Sequence, residues 1–285
     1  MVPADAAFYT TMLRNKEQVE IVAKSKAWDR LWNLAAVQQW WKNYGDMFNK
    51  SWSQFLSDND NKDLVALLED ASSDEIFCYG DDGWVGFMGL YGEAYGAMQY
   101  GPAAAQLGGN PGGRPQEELQ GRAVLSALAK HPELIKVPNF ILGFKVSDEK
   151  RAEKQIQRLE TLAKQFADQS PDLKGRVKRT KVGEASFLTL TVEGSQVPWG
   201  QVPVKKLEDN PGEFAPVIDK LKGLTLTVGL GVSHGYLLLG VGPSTDELAR
   251  LGGDGPHLDG QAAFKPLAKF ADKKLTSIGL SLIHI

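Results

Sequence analysis

The sequence predicts an α+β protein, with antiparallel sheets of hairpins packed by helices in repeated strand–helix–hairpin units. Three observations carry this. β-rich runs separated by turn residues recur at 75–79, 84–90, 139–146, 224–232 and 236–242. Between them lie stretches whose apolar residues step at helical spacing. Strand, helix and hairpin follow one another from residue 6 and again from residue 139.

A first strand is predicted at 6–13, rich in Phe, Tyr and Thr. A long helical region follows over 16–69, with breaks near Gly45 and at 57–61. Trp40, Tyr44, Phe48 and Trp52 recur every fourth residue, so they share one slowly drifting helix face, and Trp28 and Trp32 form a similar pair upstream. Apolar stripes at this spacing are usually core, so the rings are expected to pin the helix to a sheet. The alternative is an aromatic surface for sugars or a partner. "DEIFCYGDDGWVGFMGL" reads as a hairpin around "GDDG". Glycines at 83, 86, 89 and 92 are expected where a helix approaches a strand closely. "GPAAAQLGGNPGGRPQ" (101–116) reads as a Gly/Pro-rich loop, with Pro115 opening the next helix.

The second half is clearer. A strand at 139–146 precedes a helix capped by Ser147, in which Ala152, Ile156, Leu159, Ala163 and Phe166 form an apolar stripe. "RVKRTKV" and "ASFLTLTVE" pair around "GE". A short helix is expected near 213–221, then a second hairpin turning at "SHG". Ser244 and Glu247 match a capping box. This order resembles βαββαβ, so the second half is read as ferredoxin-like. The units are drawn at 1–132, 133–274 and 275–285, the last being the start of a truncated third unit.

Composition excludes several classes. The chain has 42% hydrophobic and 24% charged residues, usual for a globular protein. A net charge of −3 gives no footprint for nucleic acid. The basic run "KGRVKRTK" (174–181) has no interleaved aromatics and reads as a solvated strand face. The single cysteine, Cys78, permits no intrachain disulfide and no thiolate metal cluster, which fits the cytosol or an exported bacterial protein. Residues 1–13 lack the basic and apolar regions of a signal peptide, and no run of 18 apolar residues predicts a transmembrane segment.

Motifs for chemistry are weak. The histidines, at 131, 234, 257 and 284, lack metal-ligand spacing, so no metal is assigned. Ser233 and His234 are adjacent and are expected to point apart, which leaves no nucleophile–base pair. "GDDGWVG" puts carboxylates where a phosphate would sit, and "GLGVSHG" lacks the helix that a dinucleotide fold requires. No cofactor is assigned. Asp81 and Asp82 are the most suggestive carboxylates, and turn residues are the commoner role for such a pair. Asp81, Asp82, His234, Trp40 and Trp52 are the candidates should a site exist.

The stretches "PADAAFYTTMLRNKEQ", "DEIFCYG", "QYGPA", "ILGFKVSDEKRAEKQIQRLE" and "YLLLGVGPSTDELARL" resemble a group of exported bacterial proteins, known mainly from planctomycetes, that carry a domain of unknown function. The resemblance spans most of residues 1–279 and brings no catalytic residues. It implies a periplasmic or envelope location, with a cleaved leader upstream. "LSLIHI" (280–285) is similar to a translated transposon mosaic end used in sequencing adaptors, so a non-native tail is expected there. The leading expectation is a non-enzymatic binding or scaffolding protein with an envelope protein or glycan partner. The alternatives are a hydrolase-like enzyme with a cleft between the two halves, and a carbohydrate- or peptide-binding module using the Trp28–Trp52 set.

Overall fold

A computed structural model describes residues 1–109, 113–170 and 173–281. Strand β1 (Phe8–Met12) leads into four helices: α1 (Asn15–Ala23), α2 (Lys26–Trp32), α3 (Ala35–Phe55) and α4 (Asn59–Ala71). Strand β2 (Ile76–Gly80) is followed by α5 (Gly83–Leu107) and α6 (Gln116–Lys130). Then come β3 (Phe140–Lys145), α7 (Glu149–Gln169), β4 (Val177–Val182) and β5 (Ala185–Glu193). The remainder is α8 (Val204–Leu207), α9 (Ala215–Lys222), β6 (Thr225–Ser233), β7 (Tyr236–Gly242), α10 (Asp246–Arg250) and β8 (Ser277–Ser281).

All eight strands form one antiparallel sheet in the order β4-β5-β6-β7-β3-β2-β1-β8. This is the expected α+β architecture. The boundary drawn at 132/133 separates two strands, β2 and β3, that pair along their whole length, from Ile76↔Phe144 to Gly80↔Phe140. The strand β8, at the start of the expected third unit, pairs with β1, and Leu280 packs against the core. Residues 282–285, which hold most of "LSLIHI" and include His284, lie outside the described residues.

The period-2 alternation of the strands sorts their side chains onto two faces. Phe77, Tyr79, Ile141, Phe187 and Leu238 point to one face, where they pack with Val2 and Ala6 of the N-terminal segment and with Leu248, Leu251 and Leu258. Gly143 lies under the Phe77 ring and has no room for a Cβ. The opposite face carries α4 and α7, through Leu67, Ala71, Val146 and Ala152. A third cluster of Leu90, Ile135 and Val217 joins α5 and α9 to the segment before β3.

Several local expectations are corrected. Residues 84–90 are the first turns of α5 and not the second strand of a hairpin. Trp84, Phe87, Tyr91 and Tyr95 step by three or four, and their successive rings pack in contact along the helix. That helical spacing overrides the local β-propensity. The first unit therefore lacks the hairpin that the repeat requires. α5 also runs through Pro102 to Leu107, well into the expected loop. The run Ala103–Ala105 favours helix, and Gly101 lets α6 approach so closely that a Cβ there would meet Ala123. Gly86 does pack on Leu134, but Gly89 and Gly92 face open space.

Gly45 does not break α3, because the Trp41 ring covers it. The expected break near 57–61 is present between Phe55 and Asn59, and two further breaks fall at Ser25, which caps α2, and at Asn33 and Leu34. α7 is capped by Asp148, whose carboxylate accepts from the Arg151 amide at 2.9 Å, while Ser147 binds Asp70 instead. Glu247 pairs with Arg250 and forms no capping box with Ser244.

The second half is not ferredoxin-like. Its element order is right, but β6 and β7 lie between β5 and β3, which a ferredoxin-like sheet would pair directly. Both predicted hairpins are present, and Gly183 and His234 supply the positive φ that their turns need.

Candidate functional site

The segment between β1 and α4 is an arm of three helices, held to the sheet at both ends. At the first end, Arg14 adopts a left-handed backbone with φ 54°, and its guanidinium donates twice to the Leu275 carbonyl, at 2.8 and 3.1 Å. At the second, Leu67 and Ala71 of α4 are buried against the sheet. Within α3 only Gly45 is buried.

The aromatic stripe is the main correction to the expected core. Trp40, Tyr44, Phe48 and Trp52 are 55%, 49%, 54% and 42% exposed. Helical periodicity places them on one face, as predicted, but no sheet covers that face. The rings form a continuous ladder. Trp32 meets Trp41 at 5.6 Å between centroids, Trp41 meets Phe48 at 6.3 Å, and Trp52 meets Phe55 at 5.6 Å. Trp40 branches from it to Tyr44 at 5.9 Å. Trp41 is half-buried between α2 and α3 and joins the two helices. Trp28, Leu31, Leu34 and Met47 extend the exposed apolar surface.

The polar side of α3 carries Lys42, Asp46 and Lys50. Residues 24–55 hold five Lys or Arg and two Asp, a net charge of +3 in a chain of net −3, so the other residues carry −6. Helices α2 and α3 of the arm are thus cationic and aromatic, in a chain whose other residues sum to a negative charge. Helices with a Trp-rich apolar face and Lys on the other are suited to lie in a membrane interface. No helix among the described residues is long and apolar enough to cross a membrane.

The other candidates do not converge. Asp81 is a structural clasp: its Oδ1 accepts from the Gly83 amide at 3.0 Å, and its Oδ2 accepts from the Asn139 amide at 3.1 Å and from Asn139 Nδ2 at 2.7 Å. It ties the start of α5 to the start of β3. Asp82 is the N-cap residue of α5 and makes no side-chain cap hydrogen bond. Ser233 and His234 do touch, with Oγ and Nδ1 2.8 Å apart, because the positive φ of His234 folds its ring back towards its neighbour. The pair sits exposed on a turn, and the imidazole lies against Gly252. Asp81 follows the Gly80 end of the β2–β3 pairing, whereas His234 adjoins Tyr236, which pairs with Lys145 at the other end of β3. Five residue steps separate those ends, about 17 Å.

Sequence reasoning missed a small cavity of about 200 Å³ beneath the N-terminal segment, where Tyr9, Glu75 and Tyr236 stand among apolar side chains such as Val2, Phe77 and Phe264. The Tyr236 hydroxyl donates to Glu75 Oε2 at 2.8 Å and Thr11 Oγ1 donates to Oε1 at 3.2 Å. Burial, and then the Glu75 charge, push the Tyr9 phenol up to about 12. Burial and the hydrogen bond to Glu75 also raise Tyr236. Both phenols remain protonated at neutral pH, and the Tyr236 and Thr11 hydroxyls hold the carboxylate in place. Among the described residues no three His, Cys, Asp or Glu side chains are placed to hold a metal ion.

No protein-family model matches the chain, and no curated protein or solved structure is significantly similar to it.

Proposed function

We propose that the protein is a non-enzymatic docking protein of the bacterial envelope, whose α1–α3 arm lays its aromatic face on an anionic bilayer surface. The observation that carries this reading is the exposed ladder from Trp32 to Phe55 on a segment, residues 24–55, of net charge +3. Six half-exposed rings left in water forgo roughly 10–15 kcal/mol of gross burial, before the costs of immobilisation. Trp and Tyr are the side chains that favour the headgroup layer, and Lys and Arg add attraction to anionic lipid. The envelope location rests on the resemblance described above.

Co-sedimentation with vesicles of phosphatidylglycerol and phosphatidylcholine tests the reading. Binding is expected to require the anionic lipid, to weaken as salt rises, and to disappear when Trp40, Tyr44, Phe48 and Trp52 are all replaced by Ala. Absence of vesicle binding contradicts the reading, as does pull-down by insoluble peptidoglycan that the same four substitutions abolish.

A further inference from the structure

Helices α4 and α7 run antiparallel across one face of the sheet. Polar bridges tie them together: Lys154 to Asp63 at 2.7 Å, Arg158 to Asn61 Oδ1 at 2.7 Å, and Ser147 to Asp70 at 2.7 Å. Between them lies an apolar groove of about 380 Å³. Leu230 of β6 and Leu237 of β7 form its floor, Leu67 and Ile156 its walls, and Leu159 and Leu162 its rim. The two rim leucines are exposed, and Leu159 belongs to the apolar stripe read from the sequence of this helix.

Three polar side chains, Asn61, Gln155 and Arg158, line this otherwise apolar groove, and Asn61 already accepts from Arg158. Gln155 is only 6% exposed, and its Nε2 has no hydrogen-bond partner. A buried donor in that state costs free energy, and native structures seldom leave one without a reason. Arg158 stands three residues further along α7, so the amide and the guanidinium are neighbours on one helix face. Besides donating to Asn61, the Arg158 guanidinium forms a long ion pair with Asp58, at 3.8 Å.

We infer that the groove between α4 and α7 binds a single-chain fatty carboxylate, with its hydrocarbon on the leucines and its head between Gln155 and Arg158. The volume falls within the usual range for small-molecule sites, roughly 300–1,000 Å³. The Lys154–Asp63 and Arg158–Asn61 bridges hold the two helices at side-chain distance. That leaves no room for a partner helix about 10 Å across, whereas a polymethylene chain fits. A carboxylate would supply an acceptor once the shielded Gln155 amide turns towards it, and a closer charge for Arg158 than Asp58 at 3.8 Å. The groove meets the aromatic arm at Phe55, the last ring of the ladder, and the inference does not rest on the bilayer reading.

Titration of the full chain with dansyl-undecanoic acid, followed by competition with unlabelled palmitate, tests it. Saturable one-to-one binding is expected, with palmitate competing and hexadecanol competing about tenfold less well. Arg158→Gln should weaken binding about tenfold and remove the preference for palmitate. Gln155→Leu should weaken the carboxylate without lowering the thermal midpoint, since it removes an unpaired donor. Leu159→Glu with Leu162→Glu, both at the exposed rim, should abolish binding in a folded protein. The variant with Trp40, Tyr44, Phe48 and Trp52 replaced by Ala should bind the probe unchanged. Failure to saturate overturns the inference, and so does binding that survives the rim substitutions or that is lost with the arm rings.

Discussion

Phe48 and Trp52 stand one helical turn apart on α3 with their ring centroids separated by 6.3 Å and their planes within 7° of parallel, and both face solvent. Their contact is made along the helix and not against a core. Stacked pairs of this kind contribute about 0.5–1.5 kcal/mol beyond burial, enough to order the face of the arm but not to cover it. The arm thus presents rings already aligned, which lowers the ordering cost of docking on a flat surface.

If the rings were core, removing them would be costly. A buried Trp→Ala costs about 3–5 kcal/mol. Trp40→Ala and Trp52→Ala are expected to cost about 1 kcal/mol or less each, measured by urea denaturation with an unchanged m-value. Trp41→Ala, which opens the junction of α2 and α3 and uncovers Gly45, is expected to cost more than either.

Asp81 and Asp82 separate a turn from an acid–base pair. Asp81→Ala removes the acceptor for Gly83 and for both Asn139 donors. It is expected to lower stability by about 1–3 kcal/mol. Asp82→Ala removes no side-chain cap and should stay within about 0.5 kcal/mol. Equal losses on chemical denaturation would show that the clasp is misassigned.

Glu213 gives the fold an acid-sensitive tie. It receives both Arg122 nitrogens at 2.8 Å and the Asp209 amide at 2.8 Å. The hydrogen bonds from Arg122, and then the one from the Asp209 amide, lower its pKa from 4.5 to about 2. A folded pKa below the unfolded one means that the contribution is fully present above pH 4.5 and is lost as pH falls from there to about 2. Glu213→Gln should cost about 1.5–3 kcal/mol at neutral pH and flatten the stability curve across that window. Thermal midpoints measured through the window compare the two proteins directly.

How far the fold was legible follows from where its information resides. The β4–β5 and β6–β7 hairpins could be read because "GE" and "SHG" are local turn signals that bring adjacent strands together. Helix α5 could not, because its glycines and β-prone residues oppose its aromatic spacing, and contacts with α6 and Leu134 decide the outcome. The sheet order depends on β1 meeting both β2 and β8, across 64 and more than 260 residues, and no local pattern encodes that. Periodicity placed Trp40 and Trp52 on one face without saying what lies opposite. Gln155, in "EKQIQRLE", looks like any surface residue of an amphipathic helix, and its unpaired amide emerges only from the packing of α4 on α7.

Five of the seven tryptophans, Trp28, Trp32, Trp40, Trp41 and Trp52, lie on α2 and α3, so intrinsic fluorescence reports mainly on the arm. The most direct test of the account is quenching of that fluorescence by anionic vesicles containing brominated phosphatidylcholine. The account predicts a blue shift on binding and strong quenching by bromines near the headgroups, weaker for bromines deep in the chains, with both effects lost at high salt. Tryptophan emission that neither shifts nor quenches, at lipid concentrations that saturate a control amphipathic helix, would contradict it.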